Sequence, residues 1–303
     1  MGTILIKAGS FVLMIVLGYT LKRIGFFKKE DFSILSKIVL NITLPCAVIT
    51  NFSTFSFEPG LMLLAALGIG TNLIMVAAGW LKGRREGPLG KGFGMLNLSG
   101  YNIGCFTMPY AQSFLGPVGV VATCIFDAGN AIMCNGVTYG LASSVSAGGR
   151  IDPKAVLKKM FSSVTFDTYA AMLLLAALGL SMPAPVLTFT EIVGGANSFM
   201  AMLMIGVGFE LRLEKRYLSQ IGASLLWRYA LSAVLAAAFY FLTPFSLEVR
   251  QVLAIVVFAP VSTVAVPYSG KIGGDIGLAG AINSATIVVS LTIITALLLA
   301  MGL

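Results

Sequence analysis

Apolar runs of about twenty residues recur ten times in this chain, and that recurrence restricts the fold more than any other feature of the sequence. A run of that length crosses the hydrocarbon layer of a membrane as one α-helix. Water is absent from that layer, so each backbone N–H and C=O must be satisfied within the segment, and a helix does this unaided. The runs fall at about residues 3–22, 32–54, 60–81, 91–115, 118–142, 157–180, 185–209, 219–242, 250–270 and 276–301. Only 11% of the 303 residues are charged, against about a quarter in soluble domains. The expected fold class is an all-α polytopic membrane protein.

The formal net charge is +8, yet its distribution argues against a nucleic-acid partner. Lys22, Arg23, Lys28 and Lys29 follow the first run, and Lys82, Arg84, Arg85 and Lys91 the third. Arg150, Lys154, Lys158 and Lys159 follow the fifth, Arg212, Lys215 and Arg216 the seventh, and Lys271 the ninth. The connections between these carry no Lys or Arg apart from Arg250. Basic connections stay on the cytoplasmic side, which predicts a multi-pass protein of the plasma (inner) membrane with both termini outside. The first run is not expected to be a cleaved signal, because Lys22 and Arg23 close it without a small-residue cleavage site. There is no histidine, and Cys46, Cys105, Cys124 and Cys134 all lie inside apolar runs. They read as small buried hydrophobes rather than as disulfides or zinc ligands. No cofactor is expected beyond a coupling H+ or Na+.

The ten runs divide five and five about the basic SAGGRIDPK connection, giving halves at 1–148 and 149–303. An odd number of spans per half sets the halves in opposite orientation, the condition for an inverted repeat. The fourth and ninth runs then correspond, and both are interrupted alike, by FTMPYAQSFLG around Pro109 and VAVPYSGKIGG around Pro267. Proline removes a donor and clashes with the preceding turn. In lipid such a break survives only where protein or a water-filled cavity receives the freed carbonyls, so a matched pair points to a transport site. Asn97 and Asn102 approach the first break. In the fifth run Thr123, Asp127, Asn130, Cys134 and Thr138 form one helical stripe, and Asn283, Thr286 and Ser290 repeat part of it in the tenth.

An ionised side chain at mid-bilayer costs at least about 2.5–3.5 kcal/mol, so an acid there is a functional candidate. Asp127 qualifies through its stripe and its closeness to the broken run, and Asp167 is a second candidate. Arg228 is expected to snorkel at the cytoplasmic end of its helix rather than to clamp a substrate. Asn41 and Pro45 interrupt the second run, and Gly194 to Asn197 loosen the seventh; plain helix packing accounts for both equally well.

Four segments together resemble the auxin efflux carrier family: GFFKKEDFSILSKIVLNITLPCAVI, NLSGYNIGCFTMPYAQSFLGPVGVVATCIFDAGNAI, ANSFMAMLMIGVGFELRL and the stretch from Val252 to Leu291. The resemblance covers nearly the whole chain. It implies ten helices in two inverted five-helix repeats, with crossing broken helices 4 and 9 and a fold shared with bile-acid symporters and sodium/proton antiporters. A panel domain (spans 1, 2, 6 and 7) would face a core transport domain (spans 3–5 and 8–10). Bacterial members look like carriers of small organic anions such as malonate or malate. The family's crossover prolines correspond to Pro109 and Pro267, its polar asparagine to Asn102 or Asn97, and its Asp-x-x-Asn to Asp127 and Asn130. The long cytoplasmic loop of the plant carriers is absent here, so an auxin substrate is not implied.

The expectation is a secondary transporter of a mono- or dicarboxylate rather than an enzyme, working by alternating access. Asn102, Asn130, Thr263 and Asn283, with freed carbonyls, would hold a cation, or Asp127 would carry a proton; Thr286 completes the set. A homodimer is compatible with the sequence, and membrane lipid surrounds the chain. Two readings compete. An intramembrane aspartyl protease needs paired aspartates, and only Phe126-Asp127 and Gly273-Gly274-Asp275 come near its patterns. A channel or receptor of the same fold is the other.

Overall fold

The computed structural model describes residues 2–28, 30–53, 58–147, 154, 158, 161–210 and 214–303. Among them every regular element is helical, and the one extended pairing is an isolated antiparallel bridge between Tyr101 and Val261. Seven helical stretches are long and apolar enough to cross a membrane. The chain is a multi-pass membrane protein.

We number the helices α1 (Gly2–Arg23), α2 (Asp31–Ile38), α3 (Leu44–Phe52), α4 (Leu63–Lys82), α5 (Gly87–Leu98), α6 (Met108–Phe114), α7 (Gly116–Ile132), α8 (Thr138–Ala147), α9 (Val164–Ala177), α10 (Ala184–Gly195), α11 (Asn197–Gly208), α12 (Leu218–Leu242), α13 (Leu247–Val256), α14 (Ala265–Lys271) and α15 (Ile276–Met301). Single π-helical turns join α2 to α3 (Val39–Thr43), precede α6 (Ile103–Thr107) and join α7 to α8 (Met133–Val137). The apolar stretch Pro59–Leu98 folds back on itself. A 3₁₀ turn, Gly83–Glu86, leads into Gly87 at φ +76°, and α5 returns along α4.

Packing sorts the helices by neighbour. α1 and α2 lie on α11, and α3 on α9 and α10. α4 packs on α5 and α7, α8 on α5, α13 on α12 and α7, and α15 on α12 and α14. Small residues set the closest approach. A Cβ on Gly68 of α4 would strike the Phe126 carbonyl, and one on Gly129 of α7 would strike the Ala65 carbonyl. The two helix backbones therefore touch, and this holds α7 and its polar stripe against α4.

The interruptions fall earlier than the prolines suggested. α5 ends at Leu98, and Ser99–Asn102 are non-helical; α13 ends at Val256, and the chain stays irregular to Val264. Pro109 lies in the first turn of α6 and Pro267 in the first turn of α14. At Pro267 the first-turn N–H groups lack intrahelical partners, so the pyrrolidine is tolerated there; Pro109 instead continues a helical run that the π turn Ile103–Thr107 has already begun. The break itself is made at Gly100, whose φ of +74° suits glycine alone.

Candidate functional site

Two non-helical segments cross inside the bundle. The Asn102 N–H donates to the Pro260 carbonyl at 2.9 Å and the Ser262 N–H to the Gly100 carbonyl at 3.3 Å. The crossing thus satisfies part of its own backbone, and side chains satisfy much of the rest.

Around the first segment, Asn130 treats Tyr101 as a strand neighbour would. Its Oδ1 accepts the Tyr101 N–H at 3.0 Å, and its Nδ2 donates to the Tyr101 carbonyl at 2.8 Å. Asn72 of α4 accepts the Gly100 N–H at 2.8 Å and donates to Asn130 Oδ1 at 3.1 Å. The second segment is held in the same manner. Asn283 donates to the Val261 carbonyl at 2.8 Å, and Thr286 Oγ1 accepts the Val261 N–H at 3.2 Å. Tyr101 and Val261 are themselves the bridge pair. One interval in sequence separates Asn72 from Arg228, Asp127 from Asn283 and Asn130 from Thr286.

Arg228 corrects its expectation most sharply. It does not snorkel: the side chain is 1% exposed and is the largest fully buried one among the described residues. From α12 it donates to the carbonyls of Leu98, Gly100 (3.0 Å) and Ala259 (2.8 Å), and its guanidinium lies 4.9 Å from the Tyr101 ring centre. These carbonyls sit where α5 and α13 end, so a fixed cation occupies the negative ends of both helices. The freed carbonyls expected to hold a coupling ion are, at these three positions, already engaged.

Asp127 is buried one helical turn from Asn130. Its Oδ1 accepts from Asn130 Nδ2 at 2.8 Å and its Oδ2 from the Tyr169 hydroxyl at 3.0 Å. No Lys or Arg forms an ion pair with it among the described residues. It borders a cavity of about 130 Å³ together with Asn102, Asn130, Cys134, Tyr169 and Thr263. Asn102 is 6% exposed, and its Nδ2 has no partner among the described residues. All three π turns contribute to this wall, through Leu40, Ile103–Cys105 and Asn135, as π turns often do at functional sites. On the other side of the crossing, Thr263, Pro267 and Asn283 line a more apolar cavity of about 290 Å³ with Ile205 and Val207 of α11.

The remaining candidates lie apart. Asn97 joins α5 to α14 through Ser269 Oγ at 2.8 Å. Pro109 and Pro45 are buried, each just after a π turn within a longer helical run. Asn197 accepts from Thr43 at 3.0 Å and donates to Gln112 at 3.0 Å, a buried polar link between α11 and α6. Asn41 is exposed and lines neither cavity. Asp167 is exposed in the first turn of α9, where an acid suits the positive helix end; it is not a buried acid. Asp275 caps α15 through the Leu278 N–H and takes a bond from Tyr217, so it shares no proton with Asp127 and a protease dyad is not formed. Sequence reasoning missed Asn72 and Tyr169. Asn72 is a lone amide in an apolar run, which was a usable signal; nothing local marks Tyr169.

Over 154 residues the chain is 29% identical to an uncharacterized transporter of Methanothermobacter thermautotrophicus (strain ATCC 29096 / DSM 1053 / JCM 10044 / NBRC 100330 / Delta H). Together the relative and the membrane helices support a transporter. The matched region takes in 48% of this chain and 50% of that protein, so the chain spans about half the length of the relative it matches. No family model matches the chain.

Proposed function

We propose that the protein is a secondary transporter, not an enzyme, that moves a small organic anion across the plasma membrane by alternating access. The observation that carries this reading is the crossing: non-helical backbone inside a membrane bundle, flanked by cavities and by an acid without a cationic partner among the described residues. Non-helical backbone at membrane depth is otherwise costly. The helical segments starting at Ile103 and Ala265 turn their positive ends to the crossing, which suits a carboxylate. Asp127 supplies the coupling group, carrying H+ or binding Na+ with Asn102 and Asn130. Asn283, Thr286 and Thr263 form the matching half.

The reading extends to architecture. The shared interval between Asn72 and Arg228, Asp127 and Asn283, and Asn130 and Thr286 supports two inverted five-helix repeats, 1–148 and 149–303, in an auxin efflux carrier-like fold of ten spans. The packing groups fit a panel of α1–α3 and α9–α11 and a moving core of the rest, with both termini outside. Asp127→Asn in proteoliposomes is expected to abolish H+- or Na+-dependent uptake of mono- and dicarboxylates while the protein still binds substrate. Unaltered coupling would remove Asp127 from the mechanism, and absence of saturable counterflow in the wild type would leave a channel or receptor.

A further inference from the structure

A groove of about 470 Å³ lies between the end of α4 and the start of α12 and shares no lining residue with the cavities at the crossing. Lys82, Arg84 and Arg85 form one wall, and Ser219, Gln220 and Trp227 the other. Arg84 and Arg85 are exposed and make no hydrogen bond or ion pair among the described residues. One carboxylate, Glu86, shares the groove with the three cations, so the wall keeps an excess of positive charge.

Depth identifies what this charge faces. Of the two tryptophans in the chain, Trp80 on α4, two residues before Lys82, is 39% exposed, and Trp227 on α12 is 40% exposed and lines the groove. Tryptophan concentrates at the headgroup level of a bilayer, which suits Trp80 and the neighbouring Lys82; Trp227 lies deeper, since Arg228 follows it at the crossing. Trp80 lies under the Lys91 ammonium, 4.9 Å from ring centre to nitrogen. Further along α4 toward the membrane interior Leu73 and Ile74 are exposed and apolar, and Leu226 is exposed beside Trp227 on α12. The groove therefore has cations and hydroxyl and amide groups at headgroup depth above an acyl-chain surface.

We infer that this groove is a binding site for the headgroup of an anionic phospholipid, with the phosphate between Arg84, Arg85 and Lys82 and an acyl chain along α4 and α12. Basic pockets between membrane helices at the headgroup level recognise such lipids. Scattered basic residues that merely set topology need no concave wall. The inference does not depend on the transported substrate. Trp227 immediately precedes Arg228, so the same helix borders the groove and holds the crossing.

The test is thermal melting of the full chain in detergent, titrated with phosphatidylglycerol, phosphatidylcholine or inorganic phosphate. Phosphatidylglycerol is expected to raise the melting temperature saturably, by mass action on the folded state, and the other two are not. In Arg84→Gln/Arg85→Gln the half-maximal concentration should rise roughly 10- to 30-fold. Both arginines are exposed, so the unliganded melting temperature of this variant should match the wild type's. Arg23→Gln/Lys37→Gln, which removes two exposed charges elsewhere, should leave the titration unchanged. Equal shifts with phosphatidylcholine, an equal loss in the control variant, or a full response to inorganic phosphate would overturn the assignment.

Discussion

Arg228 shows how a single side chain substitutes for secondary structure. Three carbonyls that a continuous helix would have bonded instead share one guanidinium. Its planar fork reaches several acceptors at once, which an ammonium on a flexible stem does not reproduce. Arg228→Met should destabilise the protein by about 3 kcal/mol or more, because a buried acceptor left without a partner costs about 1–3 kcal/mol. Arg228→Lys should recover only part of that loss, since the charge returns without the fork. Thermal melting of the two variants in detergent checks the order. At Asn130, replacement by Leu strands both the N–H and the C=O of Tyr101, whereas Ala at exposed Asn41 should leave the melting temperature within about a degree.

Among the elements, the contact of α4 with α7 is set by glycine. Gly68→Leu and Gly129→Leu would each drive a side chain into the opposing carbonyl. Each should cost about 1–3 kcal/mol and displace Asp127, so binding of a carboxylate should weaken together with stability. At the start of α15, Asp275 is held below the ordinary carboxylate range, chiefly by the Leu278 N–H and also by the Tyr217 hydroxyl. A depressed folded-state pKa means that the ionised acid stabilises the fold at neutral pH. That contribution is present above the ordinary value of 3.8 and is lost as pH falls through the lower folded-state value. The difference in melting temperature between wild type and Asp275→Ala should therefore be constant from pH 7 to about 5 and shrink below about 4.

Over the whole molecule, the multi-pass helical character was legible because lipid demands apolar runs of about fixed length; seven helical stretches among the described residues meet that demand, against ten runs expected. The stripe of Asp127 and Asn130 was legible from helical spacing alone, and both residues do face the crossing. The position of the breaks was not legible from prolines. Pro267 marks a helix start and Pro109 lies inside a helical run that begins at Ile103, whereas the break depends on pairing between Tyr101 and Val261, which are remote in sequence. Arg228 was misplaced for a related reason: its distance along the helix suggested a boundary, and only the fold brings α12 against the ends of α5 and α13. Cysteine labelling offers a check on sidedness. Cys105 and Cys134 border the Asp127 cavity, and Cys124 does not. If the basic connections are cytoplasmic, a small maleimide should reach Cys134 from the cytoplasmic face ahead of Cys124.

The bridge between Tyr101 and Val261 has one more consequence. Loops usually exchange their amide hydrogens with solvent faster than helices do, because few contacts close over them. Here the N–H groups of Gly100, Tyr101, Asn102, Val261 and Ser262 are each bonded to a carbonyl or side chain, within a buried knot that Arg228 fastens. Deuterium uptake at 100–102 and 261–262 should be slower than in the exposed ends of α10 and α12, and Arg228→Lys should speed it at both segments together. A transporter built this way would carry its least helical backbone as its stiffest part.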